Sequence, residues 1–488
     1  MTLQPLRLCG VLLLLVAHSA VAQQAATSTE TSQPMQSLTG VQLKGKAPVN
    51  ARTLTPTLPK PIEDKLANGL SIILIEDHEL PTFVMQLVID RGEFVEPKDK
   101  QGLAQATATQ LREGTKTRST EQISETLDSL GASFGARADL GTSIATASGL
   151  LESLDSVLDV FSDVLRNPTF PQSELDKYKQ RLLSQIENQR SSSSFVAQEQ
   201  FARAIYGEFP AGTLVPSETS IRALTTADLA AFHSQNYAPN VAMLLVAGDV
   251  TMAQLKPKLE RALGSWERKD ISGTAFPTVA PPPASRVFVL DRPQSVQTSL
   301  VMGNLATTGD DPDRFAITVM NRILGGSPAS RLFTNLREAK GYTYGAYSSV
   351  SNNRYAGVAG ASAEVRTEVT EGAMKEFMYE FERIGKEPVS DVEMANAKRA
   401  LIGGFALSLE NPQAFLGNVY VQKLYGFPAN YWEQYPKLLE SVTKADVSRV
   451  AAKYFNPKSM QIVAVGDAPK IREVMSKYGP VQAPAETQ

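Results

Sequence analysis

The sequence predicts an α+β protein made of two similar halves in tandem, each a mainly antiparallel sheet covered by helices. The first reason is an internal repeat, because YAPNVAMLLVAGD (237–249) recurs as FNPKSMQIVAVGD (455–467). Just upstream, LTTADLAAF (224–232) matches VTKADVSRV (442–450) at the same offset of 218 residues. The second reason is that strand-like apolar runs and helical segments occur together in both copies. Duplication of one mixed unit accounts for both observations.

The strands of each half are predicted from short apolar runs that contain many β-branched residues. In the first half these runs are LSIILI (70–75), TFVMQLVID (82–90) and VAMLLVAG (241–248). Their counterparts in the second half are VFVLD (287–291) and MQIVAVGD (460–467). We therefore expect one sheet in each half.

The covering helices are predicted from segments with apolar residues at helical spacing. SLDSVLDVFSDVLRN (153–167) places Leu154, Leu158 and Phe161 on one stripe, which is typical of a helix packed on a core. QSELDKYKQRLLSQIENQ (172–189) is a second, more polar helix. Ordinary core packing explains these stripes.

The boundary between the halves is predicted in DISGTAFPTVAPPPASR (270–286), where three successive prolines favour a stiff, extended linker. A segment before the first half is rich in Gln, Ser, Thr and Pro and is expected to have no packed core. The predicted organisation is a signal peptide (1–22), a disordered leader (23–58), an N-terminal domain (59–269), the linker (270–286), a C-terminal domain (287–478) and a tail (479–488).

The first residues have the pattern of a cleaved secretory signal. Arg7 precedes a short apolar run (8–17), and Ala20-Val21-Ala22 fits the small-x-small cleavage pattern. The run is too short to span a bilayer, which needs about 20 residues. The single cysteine, Cys9, lies inside this segment, so the mature chain is expected to form no disulfide. We expect an exported protein in a bacterial periplasm, without a membrane span.

Composition excludes some classes of protein. A hydrophobic content of 42% and a charged content of 20% are typical of a globular protein. The formal net charge of -3 gives no reason to expect a nucleic-acid partner, which needs a basic surface.

Five markers lie in order on the duplicated frame: NGLSIILIED (68–77), RGEFVEP (91–97), GLA…GTKTRS (102–119), the Pro-Asn…Gly-Asp strand (239–249) and LGGSPASRLFTNLREAKGYTYGAYS (324–348). With them the chain resembles the M16 family of zinc peptidases, which includes insulin-degrading enzyme, pitrilysin and the mitochondrial processing peptidase. Its length is similar to that of the bacterial M16B members. The resemblance implies two domains of one fold that form part of a clamshell.

In active members of that family, the segment matching 102–119 holds the zinc motif H-x-x-E-H, in which two His bind Zn²⁺ and the Glu is the general base. Alignment on the flanking GLA and GT places the two His at Gln105 and Thr109 and the base at Ala108. The distal Glu ligand falls at Gln185. Neutral amide and hydroxyl groups are poor zinc ligands, and alanine has no group that accepts a proton. The resemblance therefore implies a degenerate zinc site, and we expect this chain to bind no metal.

Histidines elsewhere offer no clear replacement. Of the three His in the sequence, His18 lies in the predicted signal peptide. His78 is predicted to be a solvated turn residue after a strand, and His233 a capping or exposed residue near the end of a helix. Zinc sites built from carboxylates alone are uncommon in enzymes.

The second half keeps a different motif. Active members of the family carry an Arg and, seven residues later, a Tyr that reach the scissile bond, and this spacing falls on Arg337 and Tyr344. The Arg would offer several donors to a substrate carbonyl, and the Tyr its hydroxyl to the oxyanion. Tyr342 and Arg331 are the alternatives in register. On the residues alone, a surface helix that leads into a half-buried strand is the favoured interpretation, and the resemblance to the family reverses this preference.

A chain without the zinc motif but with the Arg/Tyr pair resembles the non-catalytic subunits of heterodimeric M16B peptidases. We therefore expect an exported subunit that supplies Arg337 and Tyr344 to a zinc-bearing homologue, with zinc in that partner and peptides as substrates. One alternative is a non-catalytic scaffold or homodimer that binds peptides or proteins. A second alternative is a metallopeptidase with a non-standard metal site.

Overall fold

The computed structural model of the protein describes residue 56 and residues 58–483, which all belong to a single compact unit. The predicted signal peptide (1–22), nearly all of the predicted leader (23–58) and the end of the predicted tail lie outside the described residues. None of the helices in the described part of the chain has the length and apolarity that a bilayer crossing requires.

The first half contains a six-stranded sheet of order β1-β2-β6-β3-β5-β4. The strands β2 and β6 are parallel, and the other neighbours are antiparallel. The bounds are β1 Ile62–Lys65, β2 Ser71–Glu76, β3 Thr82–Ile89, β4 Ser133–Ala138, β5 Ser143–Leu150 and β6 Ala242–Gly248. The helices are α1 Leu103–Gln110, α2 Thr120–Ser129, α3 Leu154–Arg166, α4 Gln172–Arg190, α5 Ser193–Tyr206, α6 Glu218–Ala223, α7 Thr226–Asn236 and α8 Met252–Leu263.

The second half repeats this arrangement with a six-stranded sheet of order β12-β7-β11-β8-β10-β9. The bounds are β7 Arg286–Asp291, β8 Gln297–Leu305, β9 Thr343–Val350, β10 Val358–Arg366, β11 Gln461–Gly466 and β12 Val481–Gln482. The helices are α9 Arg314–Leu324, α10 Arg331–Phe333, α11 Thr370–Lys386, α12 Asp391–Ser408, α13 Pro412–Leu424, α14 Tyr431–Ser441, α15 Lys444–Tyr454 and α16 Ala468–Ser476. The final short strand β12 adds to β7 and takes the edge that β1 has in the first sheet.

Each half covers the outer face of the other half's sheet with one helix. From the first half, α5 places Ala197, Phe201 and Ile205 against Val463 and Val465 of β11, in one buried cluster. From the second half, α13 packs Phe415, Leu416 and Val419 against Ile73, Ile75 and Leu245 of β2 and β6. Each fully buried side chain of this size contributes about 1.5–3 kcal/mol, so the exchange binds the two halves firmly together.

This exchange explains why the central strands have continuous apolar sequences. In β2, residues on both faces are buried, with Ile72 and Leu74 in the core under the helices and Ile73 and Ile75 under α13. A strand buried on both faces has no polar alternation. The α+β class, the two similar halves, and the predicted strands and helices are confirmed. The domain boundaries stay a prediction.

Candidate functional site

The helix α1 carries the positions of the family's zinc motif, and its N-terminus is fixed by the residues just before it. Gly102 precedes it with φ of 88°, in the left-handed region that favours glycine. The Glu96 carboxylate accepts hydrogen bonds from the backbone nitrogens of Gly102 (2.9 Å) and Ala104 (2.5 Å). An acceptor at this end satisfies donors that have no partner within the helix. The preceding segment 91–97 therefore fixes where α1 starts.

The two positions aligned with the zinc-binding histidines contact each other. Gln105 Nε2 donates a hydrogen bond to Thr109 Oγ1 at 3.0 Å, one helical turn away. Gln105 Oε1 accepts another from the backbone nitrogen of Ala138 in β4, at 2.7 Å. The amide of Gln105 is thus engaged at both its oxygen and its nitrogen by the chain itself.

The remaining two positions do not restore a metal site. Ala108, where the general base would be, is 1% exposed and carries only a methyl group. Gln185 lies on the exposed side of α4. Within the described residues, no group of three or more His, Cys, Asp or Glu side chains is placed to hold a metal ion. The residues at the family's zinc position do not fit the metal, because neither imidazole nor carboxylate is present among them.

The two described histidines have other partners. His78 follows β2, as predicted, and its Nδ1 lies 2.6 Å from Asp249, a hydrogen bond that raises the pKa of His78. His233 lies in the last turn of α7, but it is half-buried, and its Nε2 donates to the carbonyl of Leu165 at 2.8 Å. Burial lowers the pKa of His233 to about 4. The predicted position of His233 is confirmed, but its predicted exposure is wrong, because Phe170 and Tyr237 pack against its ring, and the carbonyl that it caps belongs to the last turn of α3.

In the second half, the structure separates the two candidate arginines. Arg331 makes a two-pronged ion pair with Glu393, with Nε–Oε1 at 2.7 Å and Nη2–Oε2 at 3.1 Å, and its side chain is 7% exposed. Burial alone would raise the pKa of Glu393, but hydrogen bonds from Arg331 and Ser390 outweigh it and lower that pKa to about 2. Arg331 therefore holds α10 to the start of α12.

Arg337 is held mainly by aromatic rings. Its guanidinium carbon lies 4.8 Å from the ring centre of Phe333 and 4.9 Å from that of Tyr344. Its Nε is 3.5 Å from the Glu338 carboxylate, which is the only ion pair it makes with a described residue. Stacking of a guanidinium on ring faces fixes its plane and leaves the N–H groups at its edge available.

The tyrosine paired with Arg337 is Tyr344. Its side chain is 88% exposed, whereas Tyr342 is half-buried and packs on the core of the second half. The segment of seven residues from Arg337 to Tyr344 begins inside a π-helical turn, Thr334–Ala339, which follows α10 directly. Gly341, with φ of 63°, then turns the chain into β9, which begins with Thr343. Such π-turns are common at functional sites.

Sequence reasoning missed an acidic group beside α1. Burial, with a further contribution from Asp139, raises the pKa of Glu93 to about 7, and burial raises that of Glu96 to about 8. Glu93 also lines a cavity of about 560 Å³ between the halves, together with Tyr347 and Ser348 of β9. The marker RGEFVEP contains both glutamates, but nothing in its pattern indicates that they are buried.

Comparisons with known proteins agree with this architecture. Residues 71–215 match the family model described as insulinase (peptidase family M16), and residues 223–401 match the one described as the peptidase M16 inactive domain. An uncharacterized zinc protease, YmxG of Bacillus subtilis, is 25% identical over 350 residues, which cover 70% of this chain and 83% of the relative. An uncharacterized zinc protease of Rickettsia felis is 25% identical over 352 residues, covering 71% and 83%.

Solved structures share the complete fold. The peptidase M16 inactive domain from Pseudomonas fluorescens superposes with a TM-score of 0.77 at 27% identity, covering 83% of this chain and 98% of that one. A protease from Helicobacter pylori has the same TM-score at 18% identity and shows the same fold over 84% of this chain and 100% of its own. The two family models, in order on the two halves, and these structures lead to one conclusion: the chain belongs to the M16 family of peptidases.

Proposed function

We propose that this chain is the zinc-free subunit of a two-chain M16 peptidase and that its Arg337 and Tyr344 complete the active site of a zinc-bearing homologue. One observation carries the proposal. The polar groups at the family's zinc position are bonded to one another, whereas Arg337 and Tyr344 stack on each other at the surface with their donors uncommitted.

The chemistry follows from the exposed donors. Arg337 makes no side-chain hydrogen bond to a described residue, so its N–H groups can bind a peptide carbonyl. The Tyr344 hydroxyl can donate to the oxygen that becomes negative when that carbonyl is attacked. Removal of one such donor typically costs about 10²–10³ in kcat. Both groups are useful only where another chain brings the metal and the general base.

Extended peptides are the substrate class that suits this architecture. The strands β4 and β9 lie at the edges of the two sheets, so each leaves one row of backbone groups without a strand partner. A peptide added as a further strand bonds through its own backbone, which gives little sequence preference. The Arg/Tyr pair lies at the start of the second of these edges, because Tyr344 is in β9.

The test is co-expression with an M16 chain from the same organism that has an intact H-x-x-E-H motif. We expect the co-purified pair to cleave a fluorogenic extended peptide at least tenfold faster than the partner alone. Arg337→Ala and Tyr344→Phe should each remove most of this gain while the chains still co-purify. Matched controls are Arg472→Ala and Tyr379→Phe, because both residues are exposed and lie on other helices.

Two results would contradict the proposal. If the pair is no faster than the partner alone, or if Arg337→Ala and Tyr344→Phe leave the rate unchanged, the chain is a binding scaffold and not part of an active site. If the isolated chain cleaves peptides in a chelator-sensitive way, it holds a metal of its own.

We also propose that the mature protein is periplasmic and starts at Gln23. The support is the signal pattern of the first 22 residues. Fractionation of cells, with mass determination of the protein, should give a periplasmic chain that lacks those residues. A cytoplasmic chain of full mass would contradict export.

A further inference from the structure

A cavity of about 840 Å³ lies between the second-half helices α9, α12, α13 and α14, and it is closed on one side by the first-half segment 139–142 and by Phe276 of the linker. Its wall is largely aromatic, because ten of the lining residues carry rings: Phe276, Phe315, Tyr355, Phe405, Tyr420, Tyr425, Phe427, Tyr431, Trp432 and Tyr435. The rings pack on each other, as Phe405 stacks on Trp432 (5.7 Å) and Phe427 on Tyr431 (4.3 Å). The volume is within the range of about 300–1,000 Å³ that small-molecule sites have.

The position of this cavity follows from the duplication. The helix α9 precedes the edge strand β9 as α1 precedes the edge strand β4, so α9 is the second-half counterpart of α1. We aligned the burial patterns of the two helices at their last buried leucine, which is Leu324 in α9. Thr318 and Arg322 then take the positions that Gln105 and Thr109 have in α1. Both Thr318 and Arg322 line the cavity.

The opposite wall lies one residue beyond the position that the repeat aligns with Gln185. At the offset of the repeat, Gln185 of α4 corresponds to Gly403 of α12, and the next residue, Gly404, lines the cavity. A Cβ added at Gly404 would meet no atom within 4 Å. The second half therefore has an open, ring-lined space at the place where the first half has the degenerate zinc site.

Two cations face this space without an acidic partner. Neither Arg314 nor Arg322 makes an ion pair with a carboxylate among the residues described, and Arg322 donates only to the carbonyl of Gly326, at 2.9 Å. Arg314 is fixed by its rings, 4.7 Å from the centre of Phe427, with Nε donating to the Tyr431 hydroxyl at 3.0 Å.

The other charged groups on the lining do not neutralise these arginines. Arg354 is ion-paired with Asp90 and lies over the ring of Phe276. Asp139 belongs to the first half, and its carboxylate lies 3.9 Å from Arg137 and accepts hydrogen bonds from Thr142. The lining therefore keeps an excess of positive charge beside α9.

We propose that this cavity binds a small organic anion with a flat apolar body, whose acidic group pairs with Arg322 and whose rings stack between the aromatic walls. Guanidinium groups bind planar oxyanions through two parallel hydrogen bonds, and they do so strongly where rings exclude water. The inference is independent of the proposed role of Arg337 and Tyr344, because no residue is shared between the two sites.

The test uses 8-anilinonaphthalene-1-sulfonate as an anionic aromatic probe and N-phenyl-1-naphthylamine as its uncharged analogue. The sequence contains two tryptophans, and Trp432 lies in the cavity wall, so binding is followed by energy transfer from Trp432 to the probe. We expect one saturable site for the anion, and the loss of most of the energy transfer in Trp432→Phe.

Two variants test the cavity and its charge separately. Arg322→Met should weaken binding of the anion about tenfold, the loss of one charge-assisted contact, without affecting the uncharged analogue. Gly404→Leu places a side chain in the space and should weaken binding of both probes, and the higher helix propensity of leucine favours folding of the variant. The matched controls are Arg472→Met and Gly403→Leu, because neither residue lines the cavity.

The proposal is overturned if the anion does not bind the native chain, or if Arg322→Met or Gly404→Leu leaves its affinity unchanged. It is also overturned if the uncharged analogue binds as tightly as the anion, since the arginines would then have no role.

Discussion

The zinc position of the first half and the Arg/Tyr pair of the second half use polar side chains in opposite ways. On α1, Gln105 bonds to Thr109 and to the backbone of β4, so its amide is satisfied inside the chain. After α10, Arg337 lies over the ring of the exposed Tyr344, and neither side chain donates a hydrogen bond to a described residue. A donor satisfied within the chain contributes to stability, whereas an exposed one is available to a ligand.

The same difference separates two arginines that are six residues apart. Arg331 is buried in an ion pair with Glu393, and Arg337 is held by ring faces at the surface. Residue type alone does not distinguish a structural arginine from a functional one. The environment does, and each of the following variants tests one side of this contrast.

The largest effect is expected for Arg331→Met. Removing one partner of a buried ion pair typically costs about 3–5 kcal/mol, and the lower end is expected here because the Glu393 side chain is 31% exposed and keeps its hydrogen bonds from Ser390. The free energy of unfolding, measured by urea denaturation, should fall by that amount. Arg337→Met is the matched control and should change it by no more than about 0.5 kcal/mol. Equal effects of the two variants would remove the distinction between these arginines.

The Arg331–Glu393 pair also predicts a pH dependence. The pKa of Glu393 is lowered from its usual 4.5 to about 2, so the unfolded state binds more protons between these values. The stabilisation is therefore complete above about pH 4.5 and is lost as the pH falls toward about 2. In Arg331→Met the acid sensitivity should be smaller, because only the contribution of Ser390 to the pKa of Glu393 is left, and an unchanged stability–pH curve would contradict the assignment.

The next largest effect is expected on the activity of the assembled pair. Tyr344→Phe and Arg337→Ala should each lower kcat by about 10²–10³, equivalent to about 2.7–4 kcal/mol of transition-state stabilisation. The free energy of unfolding should stay within about 0.5 kcal/mol of the wild-type value, because both side chains are at the surface. Steady-state rates and urea denaturation of the same preparations check this, and a loss of activity that follows a loss of stability would argue against a direct role.

Gln105→Ala should lower the stability of the chain and leave the activity of the pair unchanged, which is the reverse of what Arg337→Ala and Tyr344→Phe should do. It removes two hydrogen bonds and leaves the Ala138 nitrogen without its acceptor, which costs about 1–3 kcal/mol. Activity of the pair should be unchanged once the protein is folded. A variant of normal stability with reduced activity would show that Gln105 contacts substrate.

The smallest effect is expected for Thr109→Val, which keeps the shape of the side chain and removes only its hydroxyl. One half-buried hydrogen bond to Gln105 is lost, so the free energy of unfolding should fall by about 0.5–1 kcal/mol. Gln105→Ala combined with Thr109→Val should then cost less than the sum of the two, because both remove the same bond. Strict additivity would contradict the contact.

Much of the fold could be predicted because its central strands are almost entirely apolar. Apart from Ser71, the runs 70–75 and 241–248 are apolar, since both faces of β2 and β6 are buried. The exchange of α5 and α13 between the halves could not be predicted, because it depends on contacts between residues far apart, such as Phe415 with Leu245.

The site was only partly predictable for the same reason. The family spacing favours Arg337 and Tyr344 as the site residues and leaves Tyr342 and Arg331 open as alternatives. Their roles depend on a π-turn that local propensity does not indicate and on Glu393, which is 62 residues from Arg331. The hydrogen bond from the Ala138 nitrogen to Gln105 also joins residues that are 33 positions apart, and no pattern in the sequence indicates it.

Native mass spectrometry of the chain co-purified with its zinc-bearing homologue is the sharpest test of a two-chain peptidase, because one spectrum reports both composition and metal content. We expect a complex of one copy of each chain with one Zn²⁺, and metal-free mass for this chain when it is released from the complex. A zinc ion that remains with this chain, or the absence of any mixed complex, would contradict it.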